Sequence, residues 1–210
     1  MFNIIKGAKI DNGVSLNEGY SIVSKNLIIA NVSAEKISKL IESNIDLLKN
    51  EELFFFIEVP YNLKTKIIKN GKEVEKTVHD IQYNKVFYID NIDVEKCKNI
   101  INKYYDILIN DNNTFFGIGT LDDNYEIGKY DYNIMSFYSN ISLNKYEEIL
   151  RNNNLKKYDK IETYWDLSTK EKDEDEMYYV NNKDIYDVIK ELEKDGLYDA
   201  GEKLKREYYN

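Results

Sequence analysis

Three times the chain leaves an apolar run through nearly the same heptad: NVSAEKI from Asn31, NIDVEKC from Asn91 and NISLNKY from Asn140. The preceding runs are LIIA, VFYID and IMSFYS. Taking Ser33, Asp93 and Ser142 as N-caps makes Val32 and Ile37, Ile92 and Cys97, and Ile141 and Tyr146 hydrophobic staple pairs. Ser and Asp accept from the unpaired amides of a first helical turn, and Glu35 and Glu95 place negative charge there. Each heptad therefore reads as a strand ending followed by a fixed helix start. Helical spacing continues at Leu40, Ile41, Ile45 and Leu48, at Ile100, Ile101, Tyr104, Tyr105 and Leu108, and at Ile149 and Leu150. A β-like run follows each helix: LFFFIEV from Leu53, TFFGIG from Thr114 and IETYWDL from Ile161. The heptads start 60 and 49 residues apart, too uneven for a solenoid. Duplication and convergence on common capping devices both account for the echo.

LFFFIEV lacks alternation, which predicts a central strand covered on both sides over part of its length, and Pro60 is expected to end it. Asn12-Gly13 and Asn70-Gly71 are two-residue hairpin signals. The second is flanked by Lys64, Lys66, Lys69, Lys72 and Lys76, which reads as an exposed basic ribbon on an acidic body. In the tail, EKDEDE (residues 171–176) is an acidic loop, and Ile185, Val188, Ile189 and Leu192 form one face of a helix that Gly196 stops. A last short helix is expected over residues 204–208. The fold class that follows is α+β, with a mixed or largely antiparallel sheet and helices mainly on one face. It is read as one domain over 1–210, with a body at 1–170 and an acidic loop plus two helices at 171–210.

The net charge of −9, with Arg151 and Arg206 the only arginines, opposes general nucleic-acid binding and attachment to anionic membranes. It favours a basic partner. Cys97 is the only cysteine, so no intramolecular disulfide forms, and a reducing compartment is expected. The short apolar piece at the start does not read as a signal peptide, and no run reaches the roughly 18 residues of a membrane span. A cytoplasmic location is expected. Abundant Asn, Ile, Lys and Tyr beside scarce Ala, Arg and Pro match AT-rich coding, which accounts for the 19 tyrosines without a binding role.

Chemistry-bearing residues are sparse. His79, the only histidine, stands in KTVHDIQY with no serine elbow near it. Cys97 holds a staple position, where inert packing is expected. One Cys and one His do not make a standard zinc site. GIGTLDDNYEIGKYDYN (residues 117–133) offers Asp122, Asp123 and Glu126 as oxygen ligands, although its spacing is not that of the twelve-residue calcium loop. Gly117-x-Gly119 lacks the third glycine and the helix of a dinucleotide fingerprint, so a polar strand connection is the plainer reading. Trp165, in a strand-like run, is expected in the core.

Residues 86–139, with the capped helix, FFGIG, the acidic connection DDNYEIGKY and an aromatic strand, resemble small bacterial immunity proteins encoded beside polymorphic toxins. The resemblance implies a non-enzymatic binder that blocks a toxin, and an acidic chain suits a basic toxin. Three readings result. The first is a non-enzymatic cytoplasmic binder of a basic protein, without cofactor, metal or catalytic residues. Its contact surface would lie at Asp122, Asp123, Glu126 and Tyr130, with Asp173 and Asp175. The second is a metal-dependent enzyme using Asp122, Asp123 and Glu126. The third is a housekeeping regulatory module. The oligomeric state is not legible.

Overall fold

A computed structural model describes residues 2–11, 13–49, 51–69, 72–168 and 177–204, with backbone alone for 62–69, 72–82 and 204. Nine strands are described: β1 (Gly19–Ser24), β2 (Leu27–Asn31), β3 (Leu53–Lys69), β4 (Lys72–Ile92), β5 (Phe115–Thr120), β6 (Tyr125–Lys129), β7 (Ile134–Ser139), β8 (Lys156–Lys157) and β9 (Tyr198–Leu204). The helices are α1 (Ala34–Ile45), α2 (Val94–Asn110), α3 (Asn144–Asn152), α4 (Tyr164–Leu167) and α5 (Ile185–Glu193). One sheet runs β8-β1-β2-β7-β6-β5-β3-β4-β9. Only β1 with β8 is a parallel pair. The expected single-domain α+β architecture is present.

The register explains the three heptads. Following the antiparallel pairs across the sheet, β2 and β3 run the same way, as do β4 and β5, and β7 and β8. Strands that run alike cannot be joined by a hairpin and need a crossover, usually helical. The heptads are those three crossover entries, through α1, α2 and α3. The other strand-to-strand connections within β1–β7 are hairpin turns or a short 3-10 turn at Asp131–Asn133.

The helix starts differ in how they are held. Asp93 caps as expected, its Oδ1 accepting from the Lys96 amide at 2.7 Å, and Ile92 and Cys97 are buried. Ser33 stands at the N-cap without a side-chain cap bond, and its Oγ accepts from the Asn3 amide at 3.2 Å. The third start is corrected: α3 begins one residue later, with Leu143 at the N-cap. Leu143 is buried and Ile141 is 64% exposed, so Ile141 staples nothing to Tyr146.

Other expectations are also corrected. IETYWDL is not a strand: Tyr164–Leu167 form a helical turn closed by a Thr163–Asp166 capping box, and the strand after α3 is the short β8. Pro60 does not end β3, which continues to Lys69. Pairing with β5 stops at Glu58, so Pro60 lies where one side of the strand has lost its neighbour and no amide donor is required. Beyond it Tyr61 alone faces residues 80–83, and the two strands then continue as a ribbon to Lys69 opposite Lys72. Asn70-Gly71 itself lies outside the described residues, as do Asn12 and the EKDEDE loop. Gly13 has φ +96° in a turn closed by the Val14 amide on Asp11 O, but no strands flank it.

The tail belongs to the body rather than appending to it. Ile185, Val188, Ile189 and Leu192 enter the main core as expected. At the helix end the Leu197 amide bonds Leu192 O and the Gly196 amide bonds Glu193 O, with Gly196 at φ +100°: a Schellman stop. Before the expected last helix, Tyr198–Leu204 form the strand β9 on β4, and residues 205–208 lie outside the described residues.

Four helices cover one face. Phe55, Ile57, Phe116, Ile118, Ile127, Met135 and Phe137 share one core with the apolar faces of α1, α2, α3 and α5.

Candidate functional site: the sheet face opposite the four longer helices

The alternate residues of the same strands point away from those helices. Register aligns them in rows. Leu27, Tyr138, Glu126, Gly119 and Phe54 form one row. Ile29, Ser136, Gly128, Gly117, Phe56, Tyr88 and Tyr198 form the next. Ile134, Phe115, Glu58 and Val86 lie beyond.

The two ends of this face are finished differently. At the Phe115–Ile134 end, residues 158–168 cross the sheet. Ile161 packs with Ile29, Phe115, Tyr130 and Ile134. Trp165 meets the Tyr132 ring edge-on at 5.1 Å, and its Nε1 donates to Asp131 Oδ1 at 3.2 Å. Tyr132 stacks on Tyr164 at 3.7 Å. Trp165 is thus partly buried as a cover for this end, on a helical turn rather than a strand.

At the opposite end Phe54, Tyr88, Glu126 and Tyr138 are half-buried and Tyr198 is 47% exposed. Phe54, Phe56 and Tyr88 pack mutually at 5.7–6.2 Å between ring centroids, and Tyr198 continues the series 6.4 Å from Tyr88. Glycine makes this possible. A Cβ on Gly119 would stand 2.3 Å from the Phe54 ring, and one on Gly117 would stand 2.5 Å from Phe56 and 2.3 Å from Ile127 O. The Gly117-x-Gly119 pair is therefore a bed for aromatic rings lying across the sheet, a known device of β structure. One further pair anchors the edge: Glu58, 2% exposed, accepts from Lys203 Nζ at 2.8 Å.

Carboxylates rim the open end. Asp90 accepts from the Tyr198 hydroxyl at 2.7 Å. Asp122 and Asp123 lie in the β5–β6 turn beside exposed Leu121 and Ile141. Asp122 accepts from Thr120 Oγ1 at 2.6 Å and from the Asn124 amide at 3.1 Å, and these bonds hold its pKa below the ordinary range. Asp123 takes the left-handed φ of +58° that the turn requires. Asp122 shapes the turn through its carboxylate and Asp123 through its backbone, and both residues remain exposed.

Of the residues singled out in the sequence, Asp122, Asp123 and Glu126 are brought to this end. Tyr130 is not: it is buried at the covered end, edge-on to Phe115 at 5.4 Å, and offers no contact surface. Asp173 and Asp175 lie outside the described residues. Sequence reasoning missed Phe54, Tyr88, Tyr138, Tyr198 and Asp90. The available signal was that LFFFIEV and VFYID are apolar at successive positions, so that both faces of these strands carry large side chains.

The other candidates resolve plainly. Cys97 is fully buried, and burial pushes its thiol up to about 12, consistent with packing. His79 lies in the β3–β4 ribbon opposite Asn62, a backbone position only. Lys129, 1% exposed, donates to Asp111 O at 2.8 Å and Thr114 O at 3.2 Å, fastening the loop after α2. Among the described residues no group of three or more His, Cys, Asp or Glu is arranged to hold a metal ion. Among them, too, no helix is long and apolar enough to cross a membrane. Comparison with protein-family models, curated proteins and solved structures finds no match to the chain.

Proposed function

We propose that this chain is a non-enzymatic binding protein that engages a basic protein through the open end of the sheet face opposite α1, α2, α3 and α5. Stoichiometric neutralisation of a toxin in the cytoplasm, as by an immunity protein, is its most concrete form. One observation carries the reading: Phe54, Tyr88, Tyr198 and Tyr138 share a face with Glu126, and Asp90, Asp122 and Asp123 rim it. Aromatic side chains ringed by charge are the composition of protein contact surfaces, with the rings supplying affinity and the rim charges supplying steering. The net charge of −9 selects a basic partner.

The test is quantitative capture from the native cells at low and high salt, with wild type, Tyr88→Ala and the double variant Asp122→Lys/Asp123→Lys as baits. The reading expects one basic protein at one-to-one stoichiometry, weakened by salt. Tyr88→Ala should lower its affinity about 30-fold, the loss typical of an interface hot spot. The charge reversal should slow association and flatten the salt dependence. Equal capture by all three baits would remove this face from the account.

A further inference from the structure

β9 brings Tyr198 to the open end, yet little of the strand itself is buried. It is the last strand in the sheet order, so one ladder holds it. That ladder is interrupted where Ala200 faces no residue of β4 and Gly201 takes φ +100°. Residues 198–202 are exposed and Lys203 is half-buried. Two of the strand's side-chain ties stand in water: the Tyr198 hydroxyl donates to Asp90 at 2.7 Å, and Asp199 pairs with Lys85 at 2.8 Å. Water competes for both, so they hold weakly.

The third tie is different. Register places Glu58, Val86 and Gly201 in one row and Pro60, Asn84 and Lys203 in the next. Lys203 Nζ thus reaches across β4 to Glu58 on β3, at 2.8 Å. Among the described residues Lys203 is the one cation paired with this buried carboxylate, and a buried charge that loses its partner is far costlier than an exposed one. Asn84, opposite Lys203, is also buried, with neither Oδ1 nor Nδ2 hydrogen-bonded, which opposes the seated strand. We infer that β9 is a latch strand locked by the Glu58–Lys203 pair, and that Lys203 is the residue that positions Tyr198 in the binding face. With the pair made, Tyr198 continues the aromatic series 6.4 Å from Tyr88. With the pair broken, Glu58 and Asn84 regain water as the strand lifts, and Tyr198 leaves with it. A partner that touches Tyr198 selects the seated strand, so seating and binding favour each other. The consequence for binding rests on the function proposed above, whereas the locking of β9 stands without it.

Amide hydrogen exchange of the full chain tests the lock, with a fluorotyrosine at position 198 reporting the ring. Lys203→Met should speed exchange of the β9 amides that face β4 about 30-fold and move the fluorine signal toward its solvent value. The amides of α5 should be unchanged, and Lys203→Arg should restore wild-type exchange. Asn84→Val, which removes the unpaired amide, should slow β9 exchange about tenfold. Should Lys203→Met not fold, Glu58→Gln with Lys203→Met removes the buried charge as well and should still exchange β9 faster than wild type. In capture from the native cells, Lys203→Met should retain less of the basic protein than wild type does, and Lys203→Arg as much. Exchange of β9 indifferent to the loss of Lys203, or equal capture by Lys203→Met, overturns the inference. A wild type that captures nothing counts against the binding face, and the exchange result still decides the lock.

Discussion

The two faces of one sheet are built from adjacent residues of the same strands, yet they obey different rules. On the helix side Phe55, Ile57, Phe116, Ile118, Met135 and Phe137 interdigitate with four helices and are buried. On the other side glycines lie beneath phenylalanine rings, and among the described residues 158–168 cover one end only. A face that is to be sealed by its own chain is filled with shapes that fit helix ridges. A face left open is smoothed, so that the rings cover backbone while their outer surfaces stay available. On the proposed reading the difference separates stability from partner binding, and substitutions should separate with it.

The largest expected effect is on the helix side. Phe137→Ala removes a fully buried ring packed 5.4 Å from Tyr146 and should cost about 3–5 kcal/mol in urea unfolding. Tyr198→Ala, on the open end, should change stability by less than about 1 kcal/mol. Comparable losses at both positions would erase the distinction between the faces.

The glycine bed gives the next effect and a finer contrast. At Gly117→Ala the new Cβ meets a backbone oxygen, Ile127 O, as well as Phe56, and should cost about 1–3 kcal/mol. At Gly119→Ala the new Cβ meets the half-buried Phe54 ring, which can turn aside, so the cost should be smaller. Equal melting shifts would show that the rings do not rest on the glycines as described.

Cap removal should follow the geometry and not the sequence echo. Asp93→Ala should cost about 1 kcal/mol, whereas Ser142→Ala, one residue outside the cap of α3, should cost a few tenths. The echo made the crossover entries legible because caps and staples are local devices, readable wherever Ser or Asp precedes helical spacing. It could not distinguish Ser142 from Leu143 as the cap, since the choice depends on whether Ile141 or Leu143 finds the core. IETYWDL misled for a similar reason: its β-favouring residues are recruited by a capping box and by the Tyr132 ring, which are tertiary facts. Pro60 and the strand β9 depended on which neighbours reach a given sheet edge. Of the candidate site, the acidic turn was legible from composition. The aromatic face was not, because seeing it requires knowing that α1, α2, α3 and α5 all pack on the other side of the sheet.

The smallest effect concerns pH. Burial raises the pKa of Asp111 above 3.8 in the folded chain, against the amide of Asn113 and the charge of Lys129. The folded chain therefore holds this proton more tightly than the unfolded one. Its contribution is greatest below pH 3.8 and is lost as pH rises through the folded-state value. Relative to wild type, Asp111→Asn should gain stability between pH 3 and 7 in urea unfolding, and a difference independent of pH would contradict the assignment.

The central claim, that the open aromatic end is where a partner sits, is tested most directly by site-specific photocrosslinking in the native cells. A photoreactive phenylalanine at position 198 on the open end of the sheet face would be compared with one at position 39 on the outer side of α1. The account predicts a single adduct with a basic protein from position 198 and none from position 39. Adducts from position 39 alone, or the same adduct from both positions, would contradict it.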